Sequence, residues 1–338
     1  MLKEKKGRFE MRAGSPIIIG LLIIVSVSFL LALAPDRASA SEQPASVFKS
    51  AKGEAEFMAA YDAVLARWPI PYESISVPTR FGSTHVIVGG PEDGKPLVLL
   101  HAMATSSTVW VRNIAALSRA YRTYLVDIVG DANKSVYSRP LASRADSLEW
   151  LRDVLDGLHI EEANLGGISY GGWIALSFAL GAPDRVKSLV LLSPAASLAK
   201  FRLSFFVHFL GPLLFPSRAS VDSTFRWLSA KGEVVDEDLA GQMYLAVKSF
   251  RFPQGGTYPT VFSDEELKKV EQPTLLLLGD HEVIYNPYYA LKRAKLLFPN
   301  LTAEIIPDAG HLLNMEQPEM VNQRILDFLD GVAPAGAR

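Results

Sequence analysis

The stretch that decides the fold is Gly167-Ile168-Ser169-Tyr170-Gly171. It follows a mostly apolar run over residues 163–166 and precedes a helix-like run over residues 173–180. A Gly-x-Ser-x-Gly sequence between a strand and a helix is typical of a nucleophile elbow, a strained turn that exposes a serine hydroxyl. Glycines flank the serine because side chains there would crowd the turn. The meaning of the motif depends on whether an acid and a histidine follow it.

The chain on both sides of this stretch alternates between strand-like and helix-like patterns. Six apolar runs are expected to be strands: Leu97–Leu100, Thr123–Val129, Ala163–Ile168, Ser188–Leu192, Thr274–Leu278 and Ala303–Ile306. Helical patterns lie at about 107–119, 143–158, 171–181, 287–297 and 318–330. Apolar strands that alternate with helices predict an α/β fold with a doubly wound, mostly parallel sheet.

Two further segments complete the predicted domain. An amphipathic helix is expected over residues 53–68, followed by a hairpin of residues 73–77 and 84–88 with a longer loop at 78–83. Residues 196–262 contain no clear strand and many aromatic side chains, so we expect a helical cap over one end of the sheet. The predicted division is 1–40 export segment, 41–69 linker and first helix, 70–195 core, 196–262 cap and 263–331 core.

The serine hydroxyl of the elbow needs a base, because it is a weak nucleophile at neutral pH. His311 is the best candidate among the six histidines, since it follows the last predicted strand in Asp308-Ala309-Gly310-His311. A loop at that point lies at the carboxyl end of the sheet, where the elbow also lies. We therefore expect His311 to accept the proton of Ser169.

A histidine in this role needs a carboxylate that fixes its tautomer. The strand that ends at Leu278 leads into Gly279-Asp280-His281-Glu282. Glu282 is the preferred acid, because three residues past the glycine a loop would turn back toward His311. Asp280 stays as the alternative acid.

Donors for the developing oxyanion complete an acyl-transfer site. One is expected to be the backbone N–H of Tyr170, directly after the predicted nucleophile. The second is expected from the loop His101-Ala102-Met103-Ala104, which follows a predicted strand. Our choice within this loop is the N–H of Met103.

The region from about Ile70 to Leu329 resembles the α/β-hydrolase fold superfamily, specifically the lidded hydrolases that include esterases, lactonases and C–C bond hydrolases. The elbow, the oxyanion loop, the acid loop and the terminal Gly-His occur in the order of that family. Two positions depart from its usual pattern. Ala102 stands where the family usually has glycine, and Glu282 where it most often has aspartate.

This resemblance implies a serine hydrolase that cleaves an ester or lactone with an apolar or amphipathic moiety through an acyl-enzyme, without a cofactor. The same triad can serve a C–C bond hydrolase, an acyltransferase or an amidase. A ligand-binding protein with little turnover is the alternative from another class. The substrate itself depends on how the cap folds.

Composition narrows the choice of partners. The 338 residues carry a formal net charge of −2, which gives no reason to expect a nucleic acid partner. The chain has no cysteine, so disulfides and thiolate metal sites are excluded. Histidines and carboxylates are too scattered to predict a metal site. The oligomeric state stays open.

The N-terminus indicates export. Basic residues precede an uncharged apolar run over residues 17–34, and Ala38-Ser39-Ala40 offers a small-x-small cleavage site. The segment is either a cleaved signal peptide or an uncleaved anchor, which would associate the protein with the membrane through residues 17–34. Both interpretations place the body of the protein outside the cytoplasmic membrane, either secreted or periplasmic or anchored and facing outward.

Overall fold

The computed structural model describes residues 46–251 and 256–332. The predicted export segment, with its apolar run over residues 17–34, lies outside the described residues. Within the two described ranges, every helix is too short or too polar to cross a bilayer.

In the described residues, nine strands form one sheet. They are β1 Tyr72–Thr79, β2 Gly82–Gly89, β3 Lys95–Leu100, β4 Tyr121–Val126, β5 Val136–Tyr137, β6 Ala163–Ile168, β7 Val186–Leu192, β8 Thr274–Gly279 and β9 Leu301–Ile306. The order across the sheet is β1-β2-β4-β3-β6-β7-β8-β9, with β5 paired to β2. Pairing is parallel from β4 to β9, whereas β2 is antiparallel to its neighbours. The predicted mostly parallel sheet is confirmed.

Helices cover both faces of this sheet. The α-helices of the described ranges are α1 Ala51–Leu65, α2 Ile114–Leu117, α3 Arg144–Gly157, α4 Tyr170–Gly181, α5 Leu203–Leu214, α6 Arg218–Leu228, α7 Glu237–Ser249, α8 Asp264–Leu267, α9 Pro287–Leu297, α10 Leu313–Glu316 and α11 Pro318–Gly331. Successive side chains of β3 enter two different apolar clusters, because neighbours on a strand point to opposite faces. One cluster includes α3, α4 and α9, and the other includes α1, α2 and α11.

Two local predictions were wrong in detail. The hairpin loop is only two residues long, since β1 continues to Thr79 and β2 begins at Gly82. Arg80 pairs with Asp153, and Phe81 is fully buried, so this turn is held by contacts distant in sequence. The helix predicted at about 107–119 is instead a short 3₁₀ helix, Ser107–Trp110, followed by α2.

Three helices, α5, α6 and α7, lie between β7 and β8, in the interval predicted to form the cap. The segment before α1 is joined to the end of α7: the N–H of Lys49 donates to the carbonyl of Ser249 at 2.6 Å, and that of Arg251 to Val47 at 2.7 Å. The first described helix is thus fastened to the last of these three helices. The boundaries 196 and 262 stay predictions.

Candidate active site

Ser169 lies between β6 and α4 in a strained backbone conformation. Its φ is 53° and its ψ is −113°, a region that residues with a side chain rarely adopt and that costs about 1–3 kcal/mol. The flanking glycines allow this turn. A Cβ at Gly167 would lie 2.3 Å from the carbonyl carbon of Gly171, and one at Gly171 would lie 2.4 Å from the carbonyl oxygen of Leu100. The geometry is that of a nucleophile elbow.

Glu282 and His311 form a buried pair at the carboxyl ends of β8 and β9. Oε2 of Glu282 lies 2.7 Å from Nδ1 of His311. The other oxygen, Oε1, accepts a hydrogen bond from the N–H of Ile284 at 2.9 Å. A carboxylate on Nδ1 holds the imidazole in the tautomer whose Nε2 can accept a proton. The arrangement suits a histidine base with a glutamate partner.

Asp280, the alternative acid, lies elsewhere. Its Oδ1 is 2.7 Å from Nδ1 of His281 and accepts the N–H of Ala309 at 3.1 Å. Burial raises the pKa of Asp280, but the hydrogen bonds from His281 and the backbone outweigh it, so the pKa is lowered. Asp280 therefore braces the loop before His311, and the structure brings Glu282 rather than Asp280 to the histidine.

The loop that carries His311 is also tied to the end of α6. The N–H of His311 donates to the carbonyl of Leu228 at 2.8 Å. Glu316 accepts the N–H of Gly310 at 2.8 Å and that of Ala230 at 2.7 Å through its two oxygens. Burial raises the pKa of Glu316. Sequence reasoning missed this carboxylate, because its partners are backbone groups and leave no side-chain motif.

The predicted oxyanion donors are available. Within the described residues, the N–H groups of Tyr170 and Met103 donate no hydrogen bond to the protein. The loop that carries Met103 is braced by His101, whose Nδ1 lies 2.8 Å from the carbonyl oxygen of Ala102. Nε2 of the same ring accepts the N–H of Ile128 at 2.9 Å. Alanine in place of the family's usual glycine at position 102 is compatible with this loop.

Asp131 holds the next residue of the oxyanion loop. Its Oδ2 accepts the N–H of Ala104 at 2.9 Å, and its Oδ1 that of Ala132 at 2.8 Å. Ala104 has a φ of 59°, so this residue is itself strained. Burial raises the pKa of Asp131 to about 6. The glycine-bearing loop over residues 130–135 thus braces the site.

Two cavities lie beside these groups. The oxyanion-side cavity is lined by residues that include Met103, Asp131, Tyr137, Leu141, Tyr170 and Tyr258. The histidine-side cavity is lined by residues that include Ile168, Phe225, Leu239, Gln242, Met243 and His311. Both linings are largely apolar, which favours apolar ligands. Among the described residues, no group of three or more His, Cys, Asp or Glu side chains is arranged to hold a metal ion.

Comparison with known proteins agrees with this geometry. The profile of the alpha/beta hydrolase family matches residues 97–324. The chain belongs to the α/β-hydrolase family. The resemblance seen in the motifs is thereby confirmed.

Two relatives from Bacillus subtilis are similar over most of their length. The carboxylesterase YbfK is 42% identical over 290 residues, which are 84% of this chain and 97% of that protein. Its crystal structure, as carboxylesterase CesB, matches with a TM-score of 0.78 and covers 83% of this chain and 99% of that one. The naproxen esterase structure, also called carboxylesterase NP, is 41% identical with a TM-score of 0.79, over 83% of this chain and 99% of that one.

Proposed function

We propose that this α/β-hydrolase is a serine-dependent carboxylic ester hydrolase. The observation that carries the proposal is the buried Glu282–His311 pair, at 2.7 Å, at the same end of the sheet as the strained Ser169 elbow. The 42% identity to carboxylesterase YbfK supports an ester as the substrate. The apolar linings of the two cavities support an ester with apolar parts.

The reaction follows from the roles of these groups. Oγ of Ser169 attacks the ester carbonyl while Nε2 of His311 takes its proton, and Glu282 stabilises the imidazolium. The oxyanion accepts hydrogen bonds from the N–H groups of Tyr170 and Met103. His311 then gives the proton to the alcohol, the alcohol departs, and the acyl group stays bound to Ser169 as an acyl-enzyme. Water, activated by the same histidine, then releases the acid and restores Ser169.

The direct test is Ser169→Ala. We expect kcat for p-nitrophenyl esters to fall by about 10⁴-fold or more, because the nucleophile is removed and the oxyanion donors remain. Labelling by a fluorophosphonate probe should be lost as well. Ser177→Ala is the matched control, since the hydroxyl of Ser177 is buried on α4 and donates only to the carbonyl of Trp173 at 2.8 Å.

The two variants separate the outcomes. Retained labelling and turnover in Ser169→Ala would contradict the assignment, whereas equal losses in Ser169→Ala and Ser177→Ala would indicate damage to the fold.

A substrate panel of esters, lactones, amides and diketones measured with the wild-type protein tests the reaction class. We expect esters to give the highest kcat/KM, followed by lactones.

A further inference from the structure

Gln242 lines the apolar histidine-side cavity and has a side-chain amide donor without a hydrogen-bond partner. Its side chain is 3% exposed, and its Nε2 makes no hydrogen bond to any described residue. The residue lies on α7, on the same face as Leu239 and Met243, and all three line the cavity. A buried amide donor without a partner is unfavourable, so it indicates that a ligand atom completes the site.

Two buried hydroxyls contact the carbonyl end of this amide. Oε1 of Gln242 accepts hydrogen bonds from Oγ of Ser106 at 3.0 Å and from Oγ1 of Thr108 at 2.7 Å. Ser106 and Thr108 are both fully buried in the segment that follows the oxyanion loop. Because these contacts occupy the carbonyl end, Nε2 is the part of the amide left for a ligand.

The cavity that receives this donor belongs to the catalytic centre. His311 and Ile168, the residue before Ser169, line it together with Ala102 and Ala104 of the oxyanion loop. Phe225 and Leu239 contribute apolar walls from α6 and α7. An ester bound at Ser169 can therefore extend one of its two arms into an apolar space that has Gln242 in its wall.

We propose that Gln242 is a specificity-determining residue that selects esters with a hydrogen-bond acceptor, such as an ether or carbonyl oxygen, within an otherwise apolar arm. This inference rests on the proposed ester hydrolysis at Ser169. An arm of pure hydrocarbon leaves Nε2 without a partner. A hydroxyl in the arm can accept the hydrogen bond from Nε2 through its oxygen, but its own O–H finds no acceptor on Nε2. A site built to donate a hydrogen bond discriminates against ligands that lack the acceptor.

The test compares matched pairs of esters. One series varies the acyl arm of p-nitrophenyl alkanoates, and another varies the alcohol arm of alkyl acetates. In each pair, one CH₂ is replaced by an ether oxygen at successive positions, and rates are divided by those of alkaline hydrolysis to remove intrinsic reactivity. In at least one series, we expect one position of the ether oxygen at which kcat/KM of the ether ester exceeds that of the matched hydrocarbon ester about tenfold.

Three variants locate the origin of this preference. Gln242→Met keeps the side-chain length, removes the donor and should reduce the preference to about one. Gln242→Glu keeps an oxygen for Ser106 and Thr108 but places a second oxygen toward the ligand, so it should disfavour the ether ester. Met243→Leu reshapes the same wall without a polar change, so it should alter both rates alike and keep the preference.

The outcomes are distinguishable. A preference near one at every position in the wild-type protein, or one that survives in Gln242→Met, overturns the role of Gln242 while Ser169-dependent hydrolysis stands. A preference for a donor-bearing arm over an ether arm also overturns it, because the amide oxygen would then face the ligand. Absence of Ser169-dependent turnover on all esters overturns both proposals.

Discussion

At the residue scale, the acid of the triad shows what sequence reasoning could and could not resolve. The order of serine, acid and histidine is readable, because each residue follows an apolar strand-like run. The sequence favours Glu282 as the acid that meets His311 but leaves Asp280 as the alternative, because the two lie two residues apart in one turn. In the structure, the carboxylate of Asp280 pairs with His281, and the carboxylate of Glu282 pairs with His311.

A pair of amide substitutions tests this difference. We expect Glu282→Gln to lower kcat by about 10²–10⁴-fold, because the amide can stabilise the wrong tautomer of His311 and cannot stabilise the imidazolium. Asp280→Asn should change kcat by about threefold or less, since its oxygen can still accept the N–H of Ala309. Steady-state kinetics with a p-nitrophenyl ester measure both, and a larger loss in Asp280→Asn would reverse the assignment.

Asp131 gives a prediction about pH. Burial raises its pKa to about 6, above the ordinary value near 4, while His101, Asp127 and Tyr170 are the titratable groups that interact with it. The folded protein therefore keeps a proton at pH values where the unfolded chain has lost it. The contribution of this group to the free energy of unfolding falls as pH rises from about 4 to 6, by at most about 1.4 kcal/mol per pH unit.

The variant Asp131→Asn isolates that contribution, because an amide does not titrate. We expect the stability of the wild-type protein relative to the variant to decrease between pH 4 and 6 and to stay constant above pH 7. Urea denaturation followed by fluorescence at several pH values measures it. Parallel curves for the two proteins across this range would contradict the raised pKa.

At the scale of elements, strands were easier to predict than the segments between them. A strand made of consecutive apolar residues is marked by its own sequence, and all six predicted core strands occur in the structure. Helices α5, α6 and α7 lie in an interval whose contacts are distant in sequence, such as the pairing of Lys49 with Ser249. The two-residue hairpin turn is likewise held by the ion pair of Arg80 with Asp153. Such contacts leave no periodic signal.

Glu316 provides a test of how α6 and the loop that carries His311 are joined. We expect Glu316→Gln to lower the free energy of unfolding by about 1–2 kcal/mol and kcat several-fold, because one of two charge-assisted hydrogen bonds to backbone is lost. Glu319→Gln is the control, since Glu319 is exposed at the start of α11. Thermal unfolding and ester kinetics are the measurements, and equal behaviour of the two variants would argue against the link.

At the scale of the whole molecule, the family and the mostly parallel sheet followed from the sequence, whereas substrate preference did not. Both cavities are assembled from segments far apart in the chain, so no local pattern encodes their shape. The donor of Gln242 illustrates this limit. A glutamine on a helix carries no signal in the sequence, and only the structure shows that it is buried against Ser106 and Thr108 in the wall of a cavity, with its amide nitrogen left without a partner.

The segment over residues 1–40, predicted to direct export, gives a prediction about location. We expect the catalytic body to lie outside the cytoplasmic membrane, because basic residues precede the apolar run over residues 17–34. N-terminal sequencing of the protein from its producing cells distinguishes cleavage after Ala40 from an intact anchor. Protection of the body from protease added to spheroplasts, combined with an intact N-terminus, would contradict export.

Leu228 is hydrogen-bonded to the loop that carries His311, and Ala230 is linked to the same loop through Glu316. These contacts also bear on protein engineering. Exchange of the segment that contains α5, α6 and α7 between relatives is a route to new substrate ranges. A graft that included Leu228 would exchange the residue whose carbonyl accepts the N–H of His311, so a shift of the backbone at that point would also displace the base. Chimaeras that keep residues 228–230 of this chain would separate the two effects, and their activity could be attributed to the exchanged walls alone.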